Sequence, residues 1–387
     1  MPPIIRAVLR PSLALALALT VTTAVLLEPA HAAQIHTYQK IFDGGPNAFH
    51  SFRIPSLVRA TNGALIAIAE SRRWNNTDWG DINIVFKRST DNGATWSALG
   101  EVVGTGNGSW TNPTAVTDWS SGRIWLLLSW QDGSHTSMAT IDTWGERKVY
   151  TCYSDDHGAT WSVPVDRTST LVPPTYTWDA VGPGIGIQTT QANPGRLIIP
   201  AQGRNIYSDD HGSTWKYQLI TGKVESTIVE LVDGTLMRND RPSGSQLTRR
   251  YISYGTIAGG FSSFVAHDTL LDPRNEASVI RYNTDNPDRL IFLNSASSVS
   301  RGKMRVRISY DDGDTWPISR RVYDWLGEED AVAQGKGGYS SMIKTADFCV
   351  GALIEINEDT ANSSTSHRSI DFHKFNLEWI RSGAPDP

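Results

Sequence analysis

Guanidinium and carboxylate groups set inside apolar strand patterns are the side chains of this sequence best suited to chemistry, the first for holding anions and the second for moving protons. Arg53 stands between Phe52 and Ile54 in Phe52-Arg53-Ile54-Pro55, and the two-residue period of a strand would point it away from both neighbours. A central cleft would satisfy that charge, as would an ion pair at a rim. Glu355 is embedded in Ala352-Leu353-Ile354-Glu355-Ile356, where a buried carboxylate needs a partner, so pairing with an arginine is expected. Residues Ala69–Asp81 leave a strand and enter a polar loop carrying Glu70, Arg72, Arg73, Asp78, Trp79 and Asp81, a candidate lip for a site. Solvation accounts for Glu70 and Arg73; Asp78 and Asp81 flank Trp79, which could dry their surroundings. Glu225 and Glu230 are both available further on, Glu230 within a strand as a charge partner of the fold. Arg241 ends an apolar run before Pro242, Arg301 opens another, and Gly337-Gly338-Tyr339-Ser340-Ser341 approaches a strand on a relaxed backbone.

The elements that would position these groups announce themselves by repetition. Ser89–Trp96, Ser154–Trp161, Ser208–Trp215 and Ser309–Trp316 all read Ser-x-Asp-x-Gly-x-Thr-Trp. The Asp carboxylate can accept backbone N–H groups within the turn, the Gly can take positive φ, and the Trp can cover apolar surface beside it. A candidate strand precedes each box: Ile82–Lys87, Lys148–Cys152, Arg204–Tyr207 and Met304–Ile308. The repeated unit is a β-hairpin, and its repetition predicts propeller blades. Box starts are 65, 54 and 101 residues apart, so the last interval has room for a blade without a box; Val229–Met237, turning at Asp233-Gly234, is its candidate hairpin. Ile35–Phe42 is expected to be an edge strand closing the last blade, and Ile370–Phe375 the last strand. At roughly 50–60 residues per blade the expectation is an all-β, six-bladed β-propeller. The boxes themselves read as architecture rather than chemistry.

Residues 1–32 are set apart as a secretory signal peptide: Arg6 and Arg10, an apolar stretch Leu13–Leu27, and a small-residue cleavage site Ala30-His31-Ala32. The stretch is short for a membrane span, and no later one is long enough, so stable membrane insertion is not expected. Residues 33–387 form the expected catalytic domain. The formal net charge of −5 becomes −6 once Arg6, Arg10 and Glu28 leave with the leader, and no basic run follows, which argues against nucleic acid as a partner. Cys152 and Cys349 are too few for a disulfide scaffold; free buried thiols are the first reading, with a single bridge as the alternative. Fourteen Trp, 33 Gly and 19 Pro suit a turn-rich β protein.

Taken together, Phe52-Arg53-Ile54-Pro55, the four boxes, the Asp-bearing loop, a central Glu followed by an Arg, and a late Arg and Tyr resemble the bacterial sialidase (neuraminidase) family over residues 36–378. The resemblance implies hydrolysis of terminal α-linked sialic acids by a secreted exo-alpha-sialidase. It assigns a carboxylate-binding triad to Arg53, Arg241 and Arg301, steadied by Glu355, and counts Arg72 among the substrate-binding positions. It assigns the acid/base to Asp78, with Asp81 as the alignment alternative, the nucleophile to Tyr339 and its base to Glu225. No cofactor or catalytic metal is implied; a structural calcium stays open.

What that set could do follows from the substrate. Three guanidiniums would hold the sugar's carboxylate, and neutral Tyr339, deprotonated by Glu225 as it attacks, would approach the anionic centre with less repulsion than a carboxylate. A tyrosine nucleophile is a known property of sialidases as a class, not a deduction from these residues. Asp78 would protonate the leaving oxygen and then activate water, so two displacements retain configuration. The implied partners are sialylated glycans, glycoproteins or glycolipids, and the implied state is a monomer. The alternatives are a trans-sialidase, an intramolecular trans-sialidase, and a non-catalytic propeller that binds sialoglycans.

Overall fold

The computed structural model describes residues 33–45, 49–104, 106–221, 225–243, 248–356 and 367–384. The stretch 1–32, read from its sequence as a leader, lies outside the described residues, as does 357–366, whose Ser363-Ser364-Thr365-Ser366 reads from its composition as a loop. Almost all regular structure is β, because short runs of branched and aromatic residues alternate with Gly- and Asp-bearing turns.

Four sheets stand as separate blades. One orders His36–Phe42, Ser369–Phe375, Val350–Ile356 and Lys336–Lys344, so the N-terminal strand closes a blade built from the C-terminal end, as the sequence led us to expect. The others are Ile187–Gln188 to Lys216–Leu219, Ser226–Glu230 to Val265–Leu271, and Ser278–Asn283 to Ile318–Arg321. The expectation of six blades is corrected here to a propeller with four separate ones. Strands between Ser51 and Asp166, together with Gly184–Ile185, form a single nine-stranded sheet. A parallel pairing of Ile82 with Ser109 joins Ile82–Ser89 to Gly108–Thr117. Box spacing counts hairpins and cannot register a backbone bond that crosses from one hairpin group to the next.

Neighbouring sheets bury both faces of most strands, which explains runs such as Leu65–Ala69 that are apolar throughout instead of alternating. The boxes fasten these layers. In the first, Ser89 Oγ donates to Asp91 (2.7 Å) and accepts from Gly93 N (2.8 Å), while Thr95 gives both its N–H and its hydroxyl to Asp91. The other three boxes repeat these bonds. Their glycines have φ between 81° and 96° and abut Phe372, Ile66, Trp125 and Met237 so closely that a Cβ would collide. Each turn therefore seats a hairpin on an adjoining layer. The hairpin expected at Val229–Met237 forms between Ser226–Glu230 and Leu236–Asp240. Cys152 and Cys349 are both buried and unbridged.

Candidate active site

The innermost strands begin around a cleft, and two local departures from regular β geometry shape it. In Ser51–Arg59 the pairing slips between Arg53 and Ser56, and Ile54 takes φ 55° ahead of Pro55. A β-branched residue in that region costs about 1–3 kcal/mol, so something must hold it. The Ile54 N–H donates to Glu355 at 2.8 Å. The same device recurs at Asn112-Pro113, where Asn112 has φ 56° and its N–H donates to Glu70 at 2.9 Å. Both bulges turn a strand end toward the centre.

Glu355 is fully buried and accepts from Arg53 Nε (3.1 Å) and Nη2 (3.2 Å), Ile54 N and Tyr339 N (3.0 Å). It thus pairs with an arginine as expected. Burial pushes its carboxyl up, but Arg53, His367 and the Ile54 N–H outweigh this and hold it at about 2. Gly337 and Gly338 let the following strand press against the Arg301 carbonyl and the Glu355 side chain, where a Cβ would collide. That approach delivers Tyr339.

Around Tyr339 the three arginines meet. The guanidinium carbons of Arg53 and Arg301 lie 5.3 Å from its ring centroid and that of Arg241 6.0 Å. The Tyr339 hydroxyl lies 2.5 and 2.7 Å from the two Glu225 carboxylate oxygens, so it donates there, and it accepts from Arg241 Nη1 at 2.6 Å. Arg241 also pairs with Glu225. Burial pushes the phenol above its ordinary range, reinforced by Glu225 and opposed by the arginines, so it is neutral at working pH. Arg53 and Arg241 each have a carboxylate partner; Arg301 has no ion pair among the described residues.

The loop acids separate. Asp78 reaches Arg72 Nη1 at 2.8 Å and Arg53 Nη1 at 3.7 Å, while 64% of its side chain faces the open cleft. Its crowded surroundings alone would raise its pKa, yet Arg72, Arg53 and Arg301 hold it below the usual range. Asp81 turns away and sits 4.0 Å from Arg73. Arg72 is held by Glu70 at 2.6 Å, and Glu70 is buried, not solvated as a loop charge would be. Glu230, as anticipated for a fold-level group, lies elsewhere and accepts the Thr190, Gln191 and Ala192 N–H groups.

The cleft encloses about 250 Å³. Its far wall comes from residues the sequence did not single out, Asn112, Met138 and Arg147, and from Trp178, which stands in the irregular, Gly- and Pro-bearing stretch 175–187 whose sequence suits a loop able to supply apolar or hydroxyl-binding contacts. Arg147 is buried under the Trp178 ring at 4.4 Å and donates to the Asp179 carbonyl, Gln131 and Asn112 Oδ1. Desolvation lowers its pKa to about 10 despite Asp179, Glu70 and Asp78, leaving it cationic at neutral pH.

A β-propeller whose central cleft combines clustered guanidiniums with a phenol, its carboxylate partner and a second, solvent-facing carboxylate has the makings of a glycosidase for an acidic sugar. Residues 105–353 match the BNR repeat-like domain. An exo-alpha-sialidase of Arthroderma benhamiae is 44% identical, with 95% of this chain and 96% of that protein covered. An exo-alpha-sialidase of Aspergillus fumigatus is 46% identical over 87% of this chain and 86% of that protein. Among solved structures, the Hadza microbial sialidase Hz136 superposes with a TM-score of 0.75 at 26% identity, covering 88% of this chain and 68% of that one. The chain belongs to the exo-alpha-sialidase family and is a glycoside hydrolase.

Proposed function

We propose that this protein is an exported exo-alpha-sialidase that removes terminal α-linked sialic acid from glycoconjugates with retention, through a sialyl-tyrosine intermediate. The observation that carries this reading is the meeting of Arg53, Arg241 and Arg301 over the ring of a tyrosine whose hydroxyl is already bonded to Glu225. Arg301 and the outward edges of the other two guanidiniums bind the substrate carboxylate. Glu355 offsets the repulsion among them and holds Arg53 in place. Arg72 orients Asp78.

The neutral phenol attacks the anomeric carbon while Glu225 takes its proton, and Asp78 gives a proton to the departing oxygen. Asp78 then deprotonates the water that cleaves the sialyl-tyrosine bond. In the free enzyme the arginines keep Asp78 largely ionised. A bound carboxylate that neutralises them, with water expelled, raises the Asp78 pKa toward a proton-donating state. The purified protein should therefore turn over at least one of a panel of 4-methylumbelliferyl α-sialosides differing at C5, between pH 4 and 8 and without added metal. Absence of turnover across the panel would defeat the proposal. Product analysis with lactose present separates hydrolysis from transfer.

Aryl leaving groups need little protonation. Asp78→Ala should lower kcat on natural sialosides by about 10²–10⁴-fold and on the aryl sialoside far less. Equal losses on both would remove Asp78 from the acid role. Secretion follows from the leader read at residues 1–32, and a monomeric propeller is sufficient for the chemistry. Protein recovered from culture medium should be a single copy beginning at Ala33; a dimer or a retained leader would overturn these two points. No described helix is long and apolar enough to cross a membrane.

A further inference from the structure

The strands that open on the cleft also end on a second cavity. Ser51–Arg59 carries Arg53 near one end and Arg59 at the other, roughly 20 Å along an extended chain. Ser226–Glu230 and Lys336–Lys344 likewise begin beside Glu225 and Tyr339 and finish at Glu230 and Lys344. Between the two ends the channel is plugged by buried polar groups. Ser56 Oγ donates to the Gly184 carbonyl (2.6 Å), Ser341 Oγ accepts from Leu57 N (2.9 Å), and Ser278 Oγ accepts from Met342 N (2.9 Å).

The second cavity holds about 260 Å³. Val58, Val116, Ile185, Val229 and Ile280, each less than 9% exposed, give it an apolar wall. Its charged groups are Arg59, Glu230 and Arg281, with Lys344 close to Arg59. Glu230 is satisfied by three N–H groups, and Arg281 is paired with Asp288 and Asp312. Lys344 donates to the Tyr282 carbonyl at 2.9 Å. Arg59 differs. Its guanidinium lies 4.9 Å over the half-exposed Trp119 ring and has no hydrogen bond or ion pair among the described residues. Glu230, Asp288 and Asp312 balance Arg281 and Lys344 overall, with Asp285 also near Lys344, but none of them reaches Arg59, a half-buried cation at the mouth of an apolar cavity whose hydrogen-bond donors are unspent.

We infer that this cavity is a second binding site, distinct from the catalytic cleft, for a small anionic amphiphile whose carboxylate pairs with Arg59 and whose hydrocarbon body lies against the apolar wall. The volume sits near the lower bound for small-molecule sites, which favours a medium-chain fatty carboxylate over a bulky ligand.

Titration calorimetry of the whole protein with decanoate below its micellar concentration tests this. One saturable site is expected, not displaced by 2-deoxy-2,3-didehydro sialic acid, and decanol should bind about tenfold or more weakly. Arg59→Met keeps the stem and removes the charge. It should weaken decanoate by a similar factor while leaving hydrolysis of the aryl sialoside unchanged, which also reports that the variant is folded. Ile187→Trp should block decanoate by filling the cavity. Absence of saturable binding, displacement by the sialic acid analogue, or wild-type affinity in folded Arg59→Met would each overturn the inference.

Discussion

Replacing Tyr339 by phenylalanine should lower kcat on aryl sialosides on the order of 10³-fold or more, with the fold retained. The substitution deletes one oxygen and keeps the ring beneath Arg53 and Arg301, so the packing of that surface survives. Glu225 keeps Arg241 as its partner, and no buried charge is stranded. What disappears is the atom that forms the bond to the sugar. Affinity for an unsaturated sialic acid analogue should change little, because the guanidiniums remain. Activity within tenfold of the wild type would remove Tyr339 from the nucleophile role.

The largest expected effect on stability belongs to Glu355. Its carboxylate answers Arg53, Ile54 N and Tyr339 N in a site closed to water. Glu355→Ala leaves two N–H groups without an acceptor and a buried guanidinium with only Asp78 among the described residues, 3.7 Å away, a loss of about 3–5 kcal/mol in chemical denaturation. Glu355→Gln, which keeps the shape and an acceptor, should lose less. The native carboxyl protonates near 2 and an unfolded one near 4.5. Between those values the unfolded chain binds more protons, so this contribution is fully present above about 4.5 and is lost as pH falls through about 2. Glu355→Gln should flatten the rise of stability with pH in that window. A slope equal to the wild type's would show that Glu355 is not held as an ion.

These two residues were legible in the sequence for different reasons. An acid within Ala352–Ile356 has few physical remedies, so its arginine partner could be expected, and the boxes disclosed their hairpins through turn chemistry. Tyr339 carried no signal beyond two preceding glycines and depended on family resemblance. Asp78 and Asp81 could not be separated, because both flank Trp79 and only the path of the loop turns one inward. Glu70 was misjudged because Glu70-Ser71-Arg72-Arg73 reads as the start of a polar loop; it lies on the end of a strand facing Asn112 from another hairpin. Ile54 concealed its bulge, since a β-branched residue argues against positive φ. Trp178 was placed on a loop able to supply contacts, but Arg147 was beyond reach for the same reason as the blade count: it depends on how separate hairpins are joined, which local periodicity does not encode.

The covalent role of Tyr339 is tested most directly by trapping. Incubation of the enzyme with a 3-fluorosialosyl fluoride, which loses fluoride from C2, followed by proteolysis and mass spectrometry, should find one 3-fluorosialyl group on the peptide containing Tyr339, and none in Tyr339→Phe. A label on Glu225 or Asp78, or time-dependent inactivation with Tyr339 unmodified, would contradict the account.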